Sequence, residues 1–298
     1  MLMYVITGAS GNTGKRIAEA LLAAGKPVTV ISRQPDHVQE FVSQGANAAI
    51  GDLADGAFLK QTFAGAKAVY LVIPPKWDVT DWRAFQREIT ENFVAALRGS
   101  GVTHAVVLSS MGAHLVPEGA GPVSGLGELE QALQAVDGLH VLNLRPGFFM
   151  ENFFANIGLM KQAGIQGYAL RPDLKMPLTH TRDIADVATK HLLALDFTGH
   201  SHEFIGGAAD YTMPEATAML AKAIGQEVQY VPFTPEQAKQ GMMGVGIPET
   251  IADGYNELFA GLNSDRYLEG FVRTPENTTP TTLEQFAQEE FAPAYQAS

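Results

Sequence analysis

Residues 4–19, YVITGASGNTGKRIAE, run from an apolar strand through three glycines, Gly8, Gly11 and Gly14, into a helical pattern. That spacing is the signature of a dinucleotide-binding turn. Gly8 can take the backbone angles of a sharp strand-to-helix turn, Gly11 admits the main chain close to a pyrophosphate, and Gly14 lets the helix lie close on the sheet. The first free N–H groups of the helix then face the anion.

Such glycines also arise in ordinary βα turns, so the flanks decide. Val5 and Ile6 supply the strand; Ile17, Ala18, Leu21 and Leu22 recur at helical spacing; Gly25 stands where a helix C-cap belongs. A second apolar strand, Val28 to Ile31, follows Pro27. A P-loop is excluded, because five residues separate Gly8 from Gly14 and Arg16 stands where a magnesium-binding Ser or Thr is required.

With 298 residues, 46% of them apolar, the chain can bury a large core. A formal charge of −12 and the lack of a basic run argue against nucleic acid or an anionic membrane as the main partner. There is no cysteine, hence no disulfide and no thiolate chemistry, which fits a reducing compartment. The first strand begins close to Met1, leaving no room for a signal peptide, and no apolar run is long enough to span a bilayer. The chain reads as cytoplasmic.

The βα rhythm continues with strands at Ala46–Ile50, Ala68–Ile73, His104–Ser109 and Leu139–Arg145, and helices at Gly56–Phe63, about Asp81–Gly99 and about Ser124–Val136. This alternation predicts an α/β fold with a doubly wound parallel sheet in the order 3-2-1-4-5-6. Trp82, Phe85, Ile89, Phe93 and Leu97 fall near one helical face, suited to covering the sheet or to a dimer interface. Beyond Gly147 the rhythm changes. Residues 1–150 read as the dinucleotide-binding domain and 151–298 as a smaller C-terminal α+β lobe, with a strand near 201–206 returning to the main sheet. A helix is expected at Thr181–Leu195, another at Pro214–Ile224, a strand at Val228–Val231, and two further helices after it.

Ligands of open α/β sheets bind at the carboxyl ends of the strands. The phosphate turn there offers Gly8, Ser10, Gly11, Asn12, Thr13 and Gly14. At the end of strand two, Ser32-Arg33 replaces the acidic residue that reads the ribose of NAD, and a guanidinium suits a 2′-phosphate, so Arg33 favours NADP(H) over its alternative as a surface arginine. Asp52, beside Leu53, is either an acceptor for the adenine amino group or a helix cap; Asp55 is better placed to cap. Ile73-Pro74-Pro75 and Ser109-Ser110-Met111 complete the edge.

These residues resemble those of the NmrA-like family of atypical short-chain dehydrogenase/reductases, which includes redox sensors, a quinone oxidoreductase and relatives of isoflavone reductase. The likeness rests on ITGASGNTG (6–14), Arg33, Gly51-Asp52, LRPGFFMEN (144–152) and RDIA (182–185). It implies that Asn12, Thr13 and Arg33 bind cofactor, and that the run from Pro146 to Asn152, with Phe148, Phe149 and Asn152 toward the substrate, shapes the nicotinamide end.

One departure matters more. Typical members of the wider superfamily place a Tyr-x-x-x-Lys pair on the helix after strand five, the Tyr giving a proton and the Lys lowering its pKa. Here that helix opens Ser124-Gly125-Leu126-Gly127-Glu128 and has neither residue. A simple ketone would then yield a basic alkoxide with no donor, whereas hydride transfer to a quinone yields a stabilised anion. The expected function is an NADPH-dependent reductase of quinone-like or conjugated acceptors; the alternative is a non-catalytic NADP(H) sensor acting through a protein partner. His114, in the loop of residues 110–122, is the candidate helper acid, or else a surface histidine. His200 and His202 share a strand face but lack a third ligand, so no metal site is expected. Glu128, Glu130, Asp183 and Asp186 read as solvated or capped helix surfaces.

Overall fold

The computed structural model describes residues 3–116, 120–264 and 266–298, so residues 117–119 of the expected 110–122 loop lie outside the described residues. Strands β1 (Tyr4–Ile6), β2 (Val28–Ser32), β3 (Asn47–Ile50), β4 (Ala68–Leu71), β5 (His104–Leu108) and β6 (His140–Pro146) alternate with helices α1 (Asn12–Ala23), α2 (Gln39–Ser43), α3 (Gly56–Phe63), α4 (Trp82–Leu97) and α5 (Pro122–Leu133). There follow β7 (Phe148–Phe149), α6 (Ile157–Ala163), β8 (Ile165–Tyr168), β9 (Met176–Thr179), α7 (Thr181–Ala194), β10 (His200–Ile205), β11 (Asp210–Tyr211), α8 (Met213–Ile224) and β12 (Gln229–Pro232). Helices α9 (Pro235–Gly244), α10 (Glu249–Leu262), α11 (Leu283–Phe286) and α12 (Ala292–Ala297) close the chain.

Among the described residues the main sheet has seven strands in the order β10-β6-β5-β4-β1-β2-β3, all parallel. The predicted order is therefore observed, with β10 added beyond β6. Alternation along the strands sends Tyr4, Ile6, Val30, Tyr70, Val106 and Leu144 to the layer formed with Ile17, Leu21, Ile184 and Leu192 of α1 and α7. Val5, Ile31, Val69, Val107 and Val141 face the opposite way, onto Leu59, Phe63, Ile89, Phe93 and Leu129 of α3, α4 and α5. Each large apolar side chain buried in these layers contributes roughly 1.5–3 kcal/mol. The aromatic stripe of α4 is thus divided. Ile89, Phe93 and Leu97 cover the sheet, while Trp82 turns to α10, donating to the Thr250 carbonyl at 3.0 Å.

Local chemistry explains most boundaries. Asp55 accepts from the N–H groups of Ala57 and Phe58 and starts α3; Asp81 accepts from Ala84 N–H and starts α4. Strand β4 stops short of Ile73 because Val72 N–H leaves the ladder and donates to Thr7 Oγ1 at 2.9 Å. Between β2 and β3 lie a 3₁₀ turn at Pro35–Val38 and α2, which seat Val38 and Phe41 in the core.

Two acidic residues expected on solvated or capped surfaces are buried. Glu130 is 7% exposed and receives Arg145 through Nε at 3.0 Å and Nη2 at 2.5 Å, with Ser109 Oγ donating to the same carboxylate. Asp183, 2% exposed, accepts from Thr281 N at 3.0 Å and from Thr281 Oγ1, tying α7 to the segment that leads into α11. In both cases the partner lies outside the helix, so helical position alone does not give the environment. Glu128 and Asp186 do sit at the surface, paired with Arg87 and Arg16.

Replacing Glu130 by Ala strands a buried guanidinium and should cost about 3–5 kcal/mol in urea unfolding. A loss under about 1 kcal/mol would put the pair in the class of surface ion pairs.

Candidate functional site

The Gly-rich turn is built by contact. Gly8 has φ +63°, and a Cβ there would stand 2.5 Å from Val72 Cγ1. A Cβ on Gly14 would lie 2.3 Å from the Gly8 carbonyl oxygen, so the first turn of α1 rests directly on the backbone leaving β1. Gly11 is the helix N-cap and has no side-chain cap bond; the helical ladder begins with Lys15 N–H to Gly11 O at 3.0 Å. The N–H groups of Asn12, Thr13 and Gly14 precede that ladder and lie at the positive end of the helix. This is a cradle for an anion.

One cleft opens beside the turn, lined by Gly8, Ser10, Ile31, Ser32, Arg33, Gly51, Asp52, Leu53, Pro74, Pro75, Lys76 and Phe85. It therefore joins the carboxyl ends of β1, β2, β3 and β4. Ser32 Oγ accepts from Gln34 N–H at 3.1 Å and donates to Gln34 O at 2.9 Å, a small loop that fixes the turn and leaves Arg33 projecting. Arg33 is exposed and makes no hydrogen bond or ion pair with any described residue. Lys76, which no motif in the sequence marks, reaches the same cleft with its Nζ 5.3 Å from the Phe85 ring centre. Two cations thus face one cleft in a chain of net charge −12. Asp52 Oδ1 folds back to accept from Ala54 N–H at 3.0 Å, while Asp55 is the helix cap.

Ser10, Gly11 and Asn12 also border a second cleft, on the α7 side of the turn, with Glu151, Phe154, His180, Arg182 and Glu290. His180 is the N-cap of α7: its Nδ1 accepts from Arg182 N–H at 2.9 Å, and its Nε2 lies 2.7 Å from Glu290 Oε1 on the C-terminal helical run.

Several predicted site residues turn their side chains inward. Thr13 accepts from the buried Tyr70 hydroxyl at 2.9 Å, Ile73 joins the α3–α5 layer, Ser109 bonds Glu130, and Met111 is fully buried. At these positions the backbone, not the side chain, forms the edge: Ser109 N–H donates to Leu144 O at 2.8 Å and Met111 N–H to Pro146 O at 3.0 Å. Ser110 is left half-buried between them. Phe148 packs 5.7 Å from Phe153 and 5.8 Å from Tyr168 in the apolar cluster of the C-terminal elements. Phe149 packs instead on the α1–α7 layer, and Asn152 is exposed, its carbonyl accepting from Tyr168 Oη at 3.1 Å. His114 Nε2 donates to the Arg266 carbonyl at 3.0 Å.

Two glycines of the helix after β5 lie close against their neighbours. A Cβ on Gly125 would stand 2.2 Å from the Gln86 side chain, and one on Gly127 would stand 2.1 Å from Ala113 O. Among the described residues, no group of three or more His, Asp or Glu is arranged to hold a metal ion, and no helix is long and apolar enough to cross a membrane.

The cradle fits a dinucleotide pyrophosphate. A Cβ at Gly11 would already lie 3.3 Å from Gly8 O, and a branched side chain there would fill the space over the helix N-terminus. Gly11→Val should therefore abolish binding of NADPH and NADH in calorimetric titration while the folded far-UV spectrum is kept. Wild-type affinity in a folded variant would reduce the turn to a structural role.

Comparison with known proteins agrees with this geometry. The model of the NAD(P)H-binding family matches residues 8–169. The NAD(P)H azoreductase of Xenophilus azovorans is 31% identical over 299 aligned residues, covering 99% of each chain. In fold, the NADPH-dependent quinone oxidoreductase QOR2 of Escherichia coli, solved with NADPH, superposes with a TM-score of 0.73 at 22% identity, covering 97% of this chain and 100% of that one. The negative transcriptional regulator NmrA in complex with NADP superposes with a TM-score of 0.76 at 15% identity, covering 99% of this chain and 97% of that one. The chain belongs to the NAD(P)H-binding family.

Proposed function

We propose that this protein is an NADPH-dependent reductase of quinone-like or other conjugated small-molecule acceptors. The observation that carries the reading is the cleft itself: an unpaired Arg33, together with a Lys76 that lies over the Phe85 ring, stands beside a Gly-rich anion cradle, in a fold whose α5 offers neither Tyr nor Lys. A free guanidinium at the end of β2 supports preference for the 2′-phosphate of NADP(H). When bound, the reduced nicotinamide supplies a hydride. The chain's own part is to hold the pyrophosphate at residues 10–14, fix the adenosine end between Arg33 and Asp52, and present the acceptor beside the carboxyl ends of β5 and β6.

Conjugated acceptors suit a site without a strong acid where, as in a quinone, the charge left by hydride transfer spreads into a phenolate-like anion that water can protonate. The azoreductase and quinone oxidoreductase relatives act on acceptors of this kind by their names. A cysteine-free chain of this composition also suits the cytoplasm.

Purified protein should oxidise NADPH with a panel of benzoquinones and naphthoquinones and stay nearly inert toward simple ketones. Arg33→Ala should weaken NADPH binding roughly 10- to 100-fold and leave NADH binding almost unchanged. If NADPH binds tightly and no quinone, azo compound or enone is reduced, the enzyme reading fails and the redox sensor replaces it. In that case NADP⁺ and NADPH must differ in affinity, since equal binding shifts no equilibrium.

A further inference from the structure

Although α5 lacks a tyrosine, the chain brings one to the same strand end from far along its length. Tyr267 Oη lies 3.3 Å from Ser110 Oγ. Three contacts hold the ring there. Gly112 has φ +80°, and a Cβ on it would stand 2.4 Å from Tyr267 Cε2, so the ring lies flat on the turn that follows β5. His114 Nε2 donates to the carbonyl of Arg266, anchoring the neighbouring residue to that turn. The ring is 7% exposed and belongs to the apolar cluster that contains Met111, Tyr168 and Phe259, against which Phe148 packs.

Ser110 is fixed as well. The flanking backbone bonds, Ser109 N–H to Leu144 O and Met111 N–H to Pro146 O, extend the β5–β6 pairing past the end of the strand. Ser109 and Met111 turn into the core, and alternation turns Ser110 the other way, half-buried, toward Tyr267. Two hydroxyls therefore meet at the edge where the acceptor of the proposed reaction is presented.

Resting on that reductase reading, we propose that Tyr267 and Ser110 form a two-hydroxyl pair that holds the acceptor's oxygen as negative charge develops on it. Hydride transfer from bound NADPH breaks one C–H bond of the dihydropyridine and leaves NADP⁺. The quinone gains the hydride with both electrons and becomes the hydroquinone monoanion, which takes its remaining proton from water. Donors aimed at the oxyanion stabilise the charge as it forms. Burial pushes the Tyr267 hydroxyl up to about 12, so at neutral pH it stays an O–H. It is a weaker acid than an ordinary phenol, and a hydroquinone anion does not strip its proton. The pair acts by hydrogen bonding, which explains why the acceptor must form a delocalised anion and why a lysine to activate the tyrosine is dispensable.

Tyr267→Phe keeps the ring on Gly112 and removes one donor. It should lower quinone kcat roughly 100-fold with unchanged NADPH affinity. A second readout does not require turnover. 4-Nitrophenol titrated into the wild-type protein with NADP⁺ should gain phenolate absorbance on binding, because the pair favours the anion, and Tyr267→Phe should lose that gain. Wild-type kcat in Tyr267→Phe, or a kcat loss with the nitrophenolate gain intact, overturns the pair and leaves the reductase reading standing. If the wild type reduces no acceptor, the reductase reading fails. The nitrophenolate band then decides the pair alone: present in the wild type and lost in Tyr267→Phe supports it, and absent in the wild type overturns it.

Discussion

The close approach of α1 to the Gly8 carbonyl is the constraint from which the rest of the molecule follows. With a Cβ at residue 14 the helix would clash with the backbone leaving β1, so only glycine lets the first turn of α1 settle there. That contact places the helix N-terminus over the carboxyl edge of the sheet, and Gly8 in the left-handed region makes the reversal possible. Once α1 is placed, β2 pairs on one side of β1 and β4 on the other, and the crevice between those two directions is where a dinucleotide fits. Tyr70 secures the arrangement from below, its hydroxyl reaching Thr13 across the layer.

The later half of the chain is joined to this frame by buried polar contacts as well as by apolar packing. The Glu130–Arg145 pair locks α5 to β6, and Ser109 adds the end of β5. Asp183 accepts from Thr281, and His180 Nε2 donates to Glu290, so the C-terminal helices are held at the α7 side of the phosphate turn. Such ties are specific because each leaves a buried charge or dipole unpaired if its partner moves. They tie residues between 109 and 290 to the frame of the sheet.

How much of this was legible in the sequence depended on distance along the chain. The parallel sheet, its order and the added strand near 201–206 follow from period and turn chemistry, which are local. The same is true of Asp55 as a cap and of Gly25, at φ +68°, just past α1. Arg33 could be singled out because it follows a strand end directly. Lys76 could have been found the same way, since it follows Pro74-Pro75 at the end of the fourth strand. Glu130 could not, because its partner Arg145 lies on another element, and its helical neighbours suggest a surface. Tyr267 is more extreme: it meets Ser110 across 157 positions, and nothing in its neighbourhood marks it. His114, by its place in the loop after strand five, is either a candidate helper acid or a surface histidine; in the structure its ring fastens the segment that carries Tyr267.

In the proposed function one cradle, residues 10–14, orients a phosphorylated dinucleotide across the carboxyl edge of the sheet. A crystal structure of the protein grown with NADPH tests it most directly. The pyrophosphate is expected on the N–H groups of the α1 N-terminus, the 2′-phosphate against Arg33, and the nicotinamide reaching toward Ser110 and Pro146. A dinucleotide bound in the reverse direction, or seated away from the Gly-rich turn, would contradict it.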